Sequence, residues 1–308
     1  MSETRRGSST ARRRILSHEL KKLTQAAGLD AVDIDDELEQ TRGNTARALR
    51  GAWAKPRLPQ VNAICDVIHK HAPHLDVGPD SAKRAYLLDL TRQARKKDWW
   101  HRYGVKPSPN FSMYMGLEAE AEELVAFESS TFHGLVQTAS YARSVIRNGP
   151  MELSLDEVEE RVQMRLERQN LLTDSADPLR LWLILDEAVL CRIPKDEVDA
   201  TGTVIKTGRQ IMLEQLQHVR DLAALAKVTI QVVPFDAGPH AATSGPFAMM
   251  KFADRAEVAG YTENPAGEFV LEETDDTTRL MVALEKLRGV ALSPDDSLAL
   301  LAEYSART

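Results

Sequence analysis

GLDAVDIDDELEQTRGNTARALRG, residues 28–51, holds two short segments with apolar faces around a turn, and its reading organises the rest of the chain. Ile34 and Leu38 are spaced as on one helical face, a turn falls near Thr41, and the run from Thr41 to Arg50 forms a second helix that Gly51 ends. Upstream, Leu16, Leu20, Leu23 and Ala27 predict a helix stopped by Gly28. Downstream, Pro56 and Pro59 bracket a loop, and Val61, Ile64, Cys65 and Ile68 supply a further apolar face. These segments predict a small all-α head over residues 15–75, two of whose helices have helix-turn-helix spacing.

Residues 1–14 are mostly Arg, Ser, Thr and Gly, a composition with too little apolar surface to order alone. The arginines of this tail, Arg5, Arg6, Arg12, Arg13 and Arg14, stand beside the helix pair, an arrangement that points to DNA. The whole chain carries 39 Lys and Arg against 46 Asp and Glu, a net charge of -7, so such a footprint must be local.

Several function classes find no support. No apolar run reaches the ~18 residues needed to span a bilayer, and the basic N-terminus lacks the apolar stretch of a secretory signal. Cys65 and Cys191 lie far apart in apolar settings and read as thiols of a reducing cytoplasm. CxxC, HExxH, GxGxxG and Walker patterns are missing, so neither a metal nor a cofactor is expected.

Beyond the head, Ser81 to Asp98 predicts a connector helix within a linker region, residues 76–108. Past Pro107 and Pro109 the texture changes. Helical patterns cover Leu117–Glu128, Leu155–Leu172 with a capping box of Ser154 and Glu157, Gln210–Ala226, and a last helix Thr278–Val290. Strand-like runs cover Leu179–Leu185, Val228–Phe235, Phe247–Phe252 and Val258–Thr262. The mixture predicts an α+β domain over residues 109–308, with a mixed or antiparallel sheet flanked by helices.

Residues 28–51 resemble the Xre-type helix-turn-helix. Leu29, Ile34 and Leu38 match its core positions, and the resemblance implies that Arg42, Asn44, Thr45, Arg47 and Arg50 meet a double-stranded operator. Two features depart from the pattern. Asp33, Asp35, Asp36, Glu37 and Glu39 crowd the helix before the turn, and Glu39 stands where a glycine is common. Either those acids point away from DNA or the head binds it weakly.

From about Trp99 to Leu301 the chain resembles the effector domain fused to such heads in antitoxin-like transcriptional regulators of high-GC Gram-positive bacteria. The matching stretches are WWHRY (99–103), YMGLEAE (114–120), HGLVQT (133–138) with YAR (141–143), RLERQ (165–169), LDEAVL (185–190), VVPF (232–235) and SGPF (244–247). The resemblance implies a small acidic partner protein encoded nearby, and a helix-turn-helix regulator suits a homodimer. It implies no catalytic residue.

The body's own candidates for ligand or partner contact are Trp99, Trp100 and Tyr103, an aromatic cluster, with His133 and His240, the latter in a Gly/Pro loop between strands. Asp186 reads as a helix cap. No nucleophile is spaced against a base, so an enzyme is not expected. The reading is a cytoplasmic DNA-binding regulator under ligand or partner control. Its alternatives are a partner-binding protein whose head no longer recognises DNA, and an enzyme acting on a small molecule.

Overall fold

The structure, a computed structural model, describes residues 9–51, 55–96, 99–173, 177–199, 201–253 and 255–308. It divides into two compact units: a head over Arg6–Trp99, with Met115–Leu117, and a body over Trp100–Tyr114 and Glu118–Thr308.

The head contains α1 (Ser9–Ala26), α2 (Ala31–Glu37), α3 (Asn44–Leu49), α4 (Leu58–His71) and α5 (Ala82–Gln93). Leu16, Leu20, Ile34, Ile64, Ile68, Leu87 and Leu90 form one buried cluster, and each such side chain contributes roughly 1.5–3 kcal/mol through burial. Two expectations change here. The helix expected to connect the domains, α5, supplies Leu87 and Leu90 to the head's own core, and its buried Arg84 donates to Asn62 and Asp66 of α4. The basic tail is not structureless up to Arg14, because α1 begins at Ser9, and Ile15 and Leu16 are buried in its second turn. Pro59 sits in the first turn of α4, where a missing N–H costs nothing.

The body begins with α6 (Pro109–Glu120), β1 (Glu123–Glu128), α7 (Ala139–Arg147) and α8 (Leu155–Thr173). β2 (Arg180–Asp186), α9 (Ala188–Cys191), the hairpin β3 (Glu197–Val198) and β4 (Val204–Lys206), α10 (Gly208–Ala223) and β5 (Val228–Val233) follow. It closes with β6 (Phe247–Phe252), β7 (Arg255–Asn264), β8 (Gly267–Leu271), α11 (Thr274–Val290) and α12 (Pro294–Arg307). The fold is α+β, with a mixed six-stranded sheet of order β5-β2-β1-β6-β7-β8 flanked by helices. β1, β2 and β5 run parallel, and β6, β7 and β8 continue antiparallel.

The expected helix Leu117–Glu128 is corrected. Helix α6 ends at Glu120, and residues 123–128 form β1, a central strand buried from Leu124 to Phe127. A strand covered on both faces shows no alternation and resembles a stretch of buried helix. Thr278–Val290 is likewise not the last helix, since Ser293 accepts from the Asp296 N–H and starts α12. On one sheet face, Val125, Phe127, Ile184 and Met249 pack against Leu284 and Leu287 of α11. Strand alternation turns Leu124, Ala126 and Glu128 to the other face. Among the described residues no helix is long and apolar enough to cross a membrane.

Candidate functional site

In the head, the α2–α3 pair is held by one carboxylate. Asp35 is fully buried and accepts from the Gly43 N–H (2.7 Å), the Thr45 N–H (2.9 Å) and Gln40 Nε2 (2.9 Å). Burial drives this carboxyl's pKa upward, but the hydrogen bonds from Thr45, Gly43 and Gln40 outweigh it and hold it below the ordinary value. The anion sits at the N-terminal end of α3, where exposed N–H groups favour negative charge.

The other acids near the turn are also engaged. Asp33 closes a capping box with Asp30, Asp36 takes both Nε and Nη2 of Arg42, and Glu37 accepts from Lys70 and His71. These contacts explain much of the carboxylate run: it fastens α2 to its neighbours.

Arg42, Arg47 and Arg50 are exposed and Asn44 is half-buried, so all four present side chains around α3. Arg47 Nη2 donates to Asn44 Oδ1. Thr45 is different. It is fully buried, and its hydroxyl accepts from Gln40 Nε2 at 3.0 Å, so it holds the helix pair together and does not face outward for a base. Arg12, Arg13 and Arg14 lie half-buried on α1, while Arg5 and Arg6 lie outside the described residues. Residues 1–99 hold 19 Lys and Arg against 13 Asp and Glu, and residues 100–308 hold 20 against 33. The basic excess is therefore confined to the part of the chain that carries the helix pair.

In the body, a buried polar chain links α6 to α8. His133 Nδ1 accepts from the Leu135 N–H, so the neutral ring's Nε2–H donates to the Tyr114 hydroxyl at 2.9 Å. Tyr114 in turn donates to Glu118, and Glu118 receives Arg168 through Nε (2.8 Å) and Nη2 (2.7 Å). Glu118 is 1% and Arg168 4% exposed, so this is a buried bidentate ion pair. Burial, reinforced by the nearby guanidinium groups of Arg168 and Arg165, pushes His133 down to about 4 despite the neighbouring Glu118. Expected as a ligand contact, His133 has both ring nitrogens occupied within the fold.

His240 is similarly engaged. Its Nε2 faces Asp186 Oδ2 at 3.2 Å, its Nδ1 accepts from the Ala242 N–H, and its ring lies edge-on to Phe127. It ties the loop after β5 to the end of β2. Asp186, expected as a helix cap, accepts from the Ala188 N–H at the start of α9, but the N-cap position there is Glu187. Of the aromatic cluster, Trp100 is buried at 1% exposure, which removes it as a surface anchor. Tyr103 is half-buried, with Arg102 pairing to Glu167 beside it, and Trp99 is half-buried. Both cysteines are free thiols, and burial pushes the one at Cys65 up to about 11.

Sequence reasoning passed over Asp35, Glu118, Glu128, Arg165 and Arg168. A signal existed in α8, where Arg165 and Arg168 continue the apolar stripe of Val158 and Val162 toward Leu172, and arginines in a core stripe imply buried partners. Around these residues lies a cavity of ≈ 120 Å³, walled by Tyr114, His133, Tyr261, Arg165, Arg168 and Glu128. Among the described residues no group of His, Cys, Asp and Glu is placed to hold a metal.

Residues 111–303 match the family model described as "Domain of unknown function (DUF5753)". No curated protein and no solved structure shows detectable similarity to the chain.

Proposed function

Since the chain belongs to the DUF5753 family through residues 111–303, we propose that the domain is the control module of a cytoplasmic transcriptional regulator whose head binds double-stranded DNA. The observation that carries this reading is the confinement of the basic excess to the residues bearing the α2–α3 pair. In the Xre-type arrangement that residues 28–51 resemble, α3 is the recognition helix, and Asn44, Arg47 and Arg50 are its outward polar groups. The arginines at 12–14 supply sequence-independent phosphate contact. A two-fold dimer would place two such helices one DNA turn apart, ~34 Å. Control by a ligand or by the small partner that the resemblance implies would act through the α+β body.

The test is a gel shift of the full chain on its own upstream DNA, with salt varied. Affinity should fall with a log–log slope of ~0.9 per phosphate contacted, and Arg47→Ala should reduce discrimination against random DNA by ~1–3 kcal/mol. A salt-independent or absent shift would remove the DNA reading.

A second reading has its own observation. Arg42 is already taken by Asp36 and Arg47 by Asn44. A head whose arginines stay so engaged would no longer read DNA and the body would serve a protein partner; co-purification without DNA binding would favour this.

A further inference from the structure

The cavity in the body contains two unmatched groups of opposite charge. Among the described residues, Glu128, at the end of β1, receives no hydrogen bond and no ion pair. Among the described residues, Arg165, on α8, makes one side-chain hydrogen bond, from Nη1 to Gln137 Oε1 at 2.6 Å, and touches no carboxylate within ion-pair distance. Both side chains are half-buried and line the cavity. Their neighbours are saturated: Arg168 is neutralised by Glu118, and His133 by its two hydrogen bonds. Glu263 stands at the rim, exposed, accepting from the Tyr261 hydroxyl at 3.1 Å.

Buried charges are normally paired with each other or with a ligand. Here the fold places a carboxyl and a guanidinium in one chamber without letting them meet. An anion would satisfy Arg165 and leave Glu128 bare, and a cation would do the reverse. A molecule carrying both charges answers both groups at once and leaves the chamber no worse in charge balance. Tyr114 and Tyr261, stacked with ring centroids 4.1 Å apart, provide the apolar wall for a short carbon chain between them.

We propose that this cavity binds a small zwitterion, an amino acid whose carboxylate meets Arg165 and whose ammonium meets Glu128. The volume limits its size: a dry cavity of ~150 Å³ accepts benzene, so ≈ 120 Å³ suits about six non-hydrogen atoms. That this ligand is the effector of the regulator rests on the function proposed above, whereas its binding does not.

The experiment is calorimetric titration of the full chain with glycine, L-alanine, β-alanine and γ-aminobutyrate, beside propionate and propylamine as single-charge controls. One or more of the zwitterions should bind saturably at one site per chain, with both controls at least tenfold weaker. Glu128→Gln and Arg165→Met should each weaken binding by tenfold or more, the size of a lost charged contact at ~1.4 kcal/mol per decade. If Arg165→Met does not fold, the isosteric Glu128→Gln carries the test alone. No heat from any zwitterion at ~10 mM, well above a millimolar Kd, would overturn the proposal. Equal binding of a control, or undiminished binding by Glu128→Gln, would also overturn it. A gel shift with and without the bound amino acid separates the two claims: an unmoved shift removes the effector role and leaves the site standing.

Discussion

Asp35 in the head and Glu128 in the body are both carboxyl groups withdrawn from water, Asp35 fully and Glu128 in part, yet their surroundings drive them in opposite directions. Asp35 gathers donors from Gly43, Thr45 and Gln40, which hold its pKa below the ordinary 3.8. Glu128 has lost water and faces Glu263 without a donor of its own, so its pKa is driven well above the ordinary 4.5, with Arg165 only partly opposing. A carboxylate with its partners built in holds a structure together. One enclosed without them is held ready for something else. The head thus uses its buried acid for architecture, and the body keeps one over.

The largest effect should come from the body's fully buried acid, Glu118, which is paired with Arg168. Arg168→Leu leaves that carboxylate buried and unpaired, which costs about 3–5 kcal/mol. Hydrogen exchange should report the loss across body amides and spare the head. Joint replacement, Glu118→Met with Arg168→Met, should recover most of it, because a buried pair exchanged for apolar side chains is often neutral. If the double replacement were as damaging as the single one, the ion pair would be doing more than compensating itself.

Next in size is Asp35→Ala. It orphans the Gly43 and Thr45 N–H groups at the start of α3, at roughly 1–3 kcal/mol. Exchange should quicken in α2 and α3 and leave the body unchanged. A body-wide response would mean the two units are coupled more tightly than their separate cores imply.

A pH titration sharpens the same contrast with a smaller signal. Asp35 has a lowered folded pKa, so its contribution is present above 3.8 and is lost as pH falls through the folded value. Glu128 has a raised folded pKa, so its neutral form suits the fold. It is harmless below 4.5 and costs stability as pH rises from 4.5 toward the folded value. Acidification should therefore strengthen the body at this site before it weakens the head. Glu128→Gln should raise the ligand-free body's neutral-pH stability and flatten its response between pH 4.5 and neutrality. An unchanged body profile in that variant would show that Glu128 is paired in solution.

Some of this was legible in advance and some was not, for physical reasons. Phe247–Phe252 and Val228–Val233 stand out as β-rich runs bounded by Gly and Pro, and Ser154 with Glu157 announces the start of α8. Strand β1 does not stand out, because ELVAFE sits at the sheet's centre with both faces covered and shows no period of two. The cavity was out of reach. Glu128, Arg165 and Tyr261 come from three elements scattered along the chain, and nothing local tells a carboxyl that will find a partner from one that will not. Even within the head, Thr45 lies among exposed polar neighbours, and only the fold reveals that it turns inward to Gln40.

The smallest effect tests whether the head is as settled as its buried acid suggests. Glu39 ends the turn after α2 with φ of 49°, the left-handed region, at the position where the Xre-type pattern commonly carries glycine. A side chain there costs ~1–2 kcal/mol from the clash of Cβ with the following carbonyl. Glycine removes that clash but gives the unfolded chain more freedom, at ~0.4–1 kcal/mol. Glu39 is exposed and its side chain makes no hydrogen bond among the described residues, so none enters the balance. Glu39→Gly should therefore stabilise the head by less than ~1 kcal/mol, visible as slower exchange of the α2 and α3 amides. A loss of stability would show that the Glu39 carboxylate acts on the head in solution, and that the acids around this turn do more than hold α2 in place.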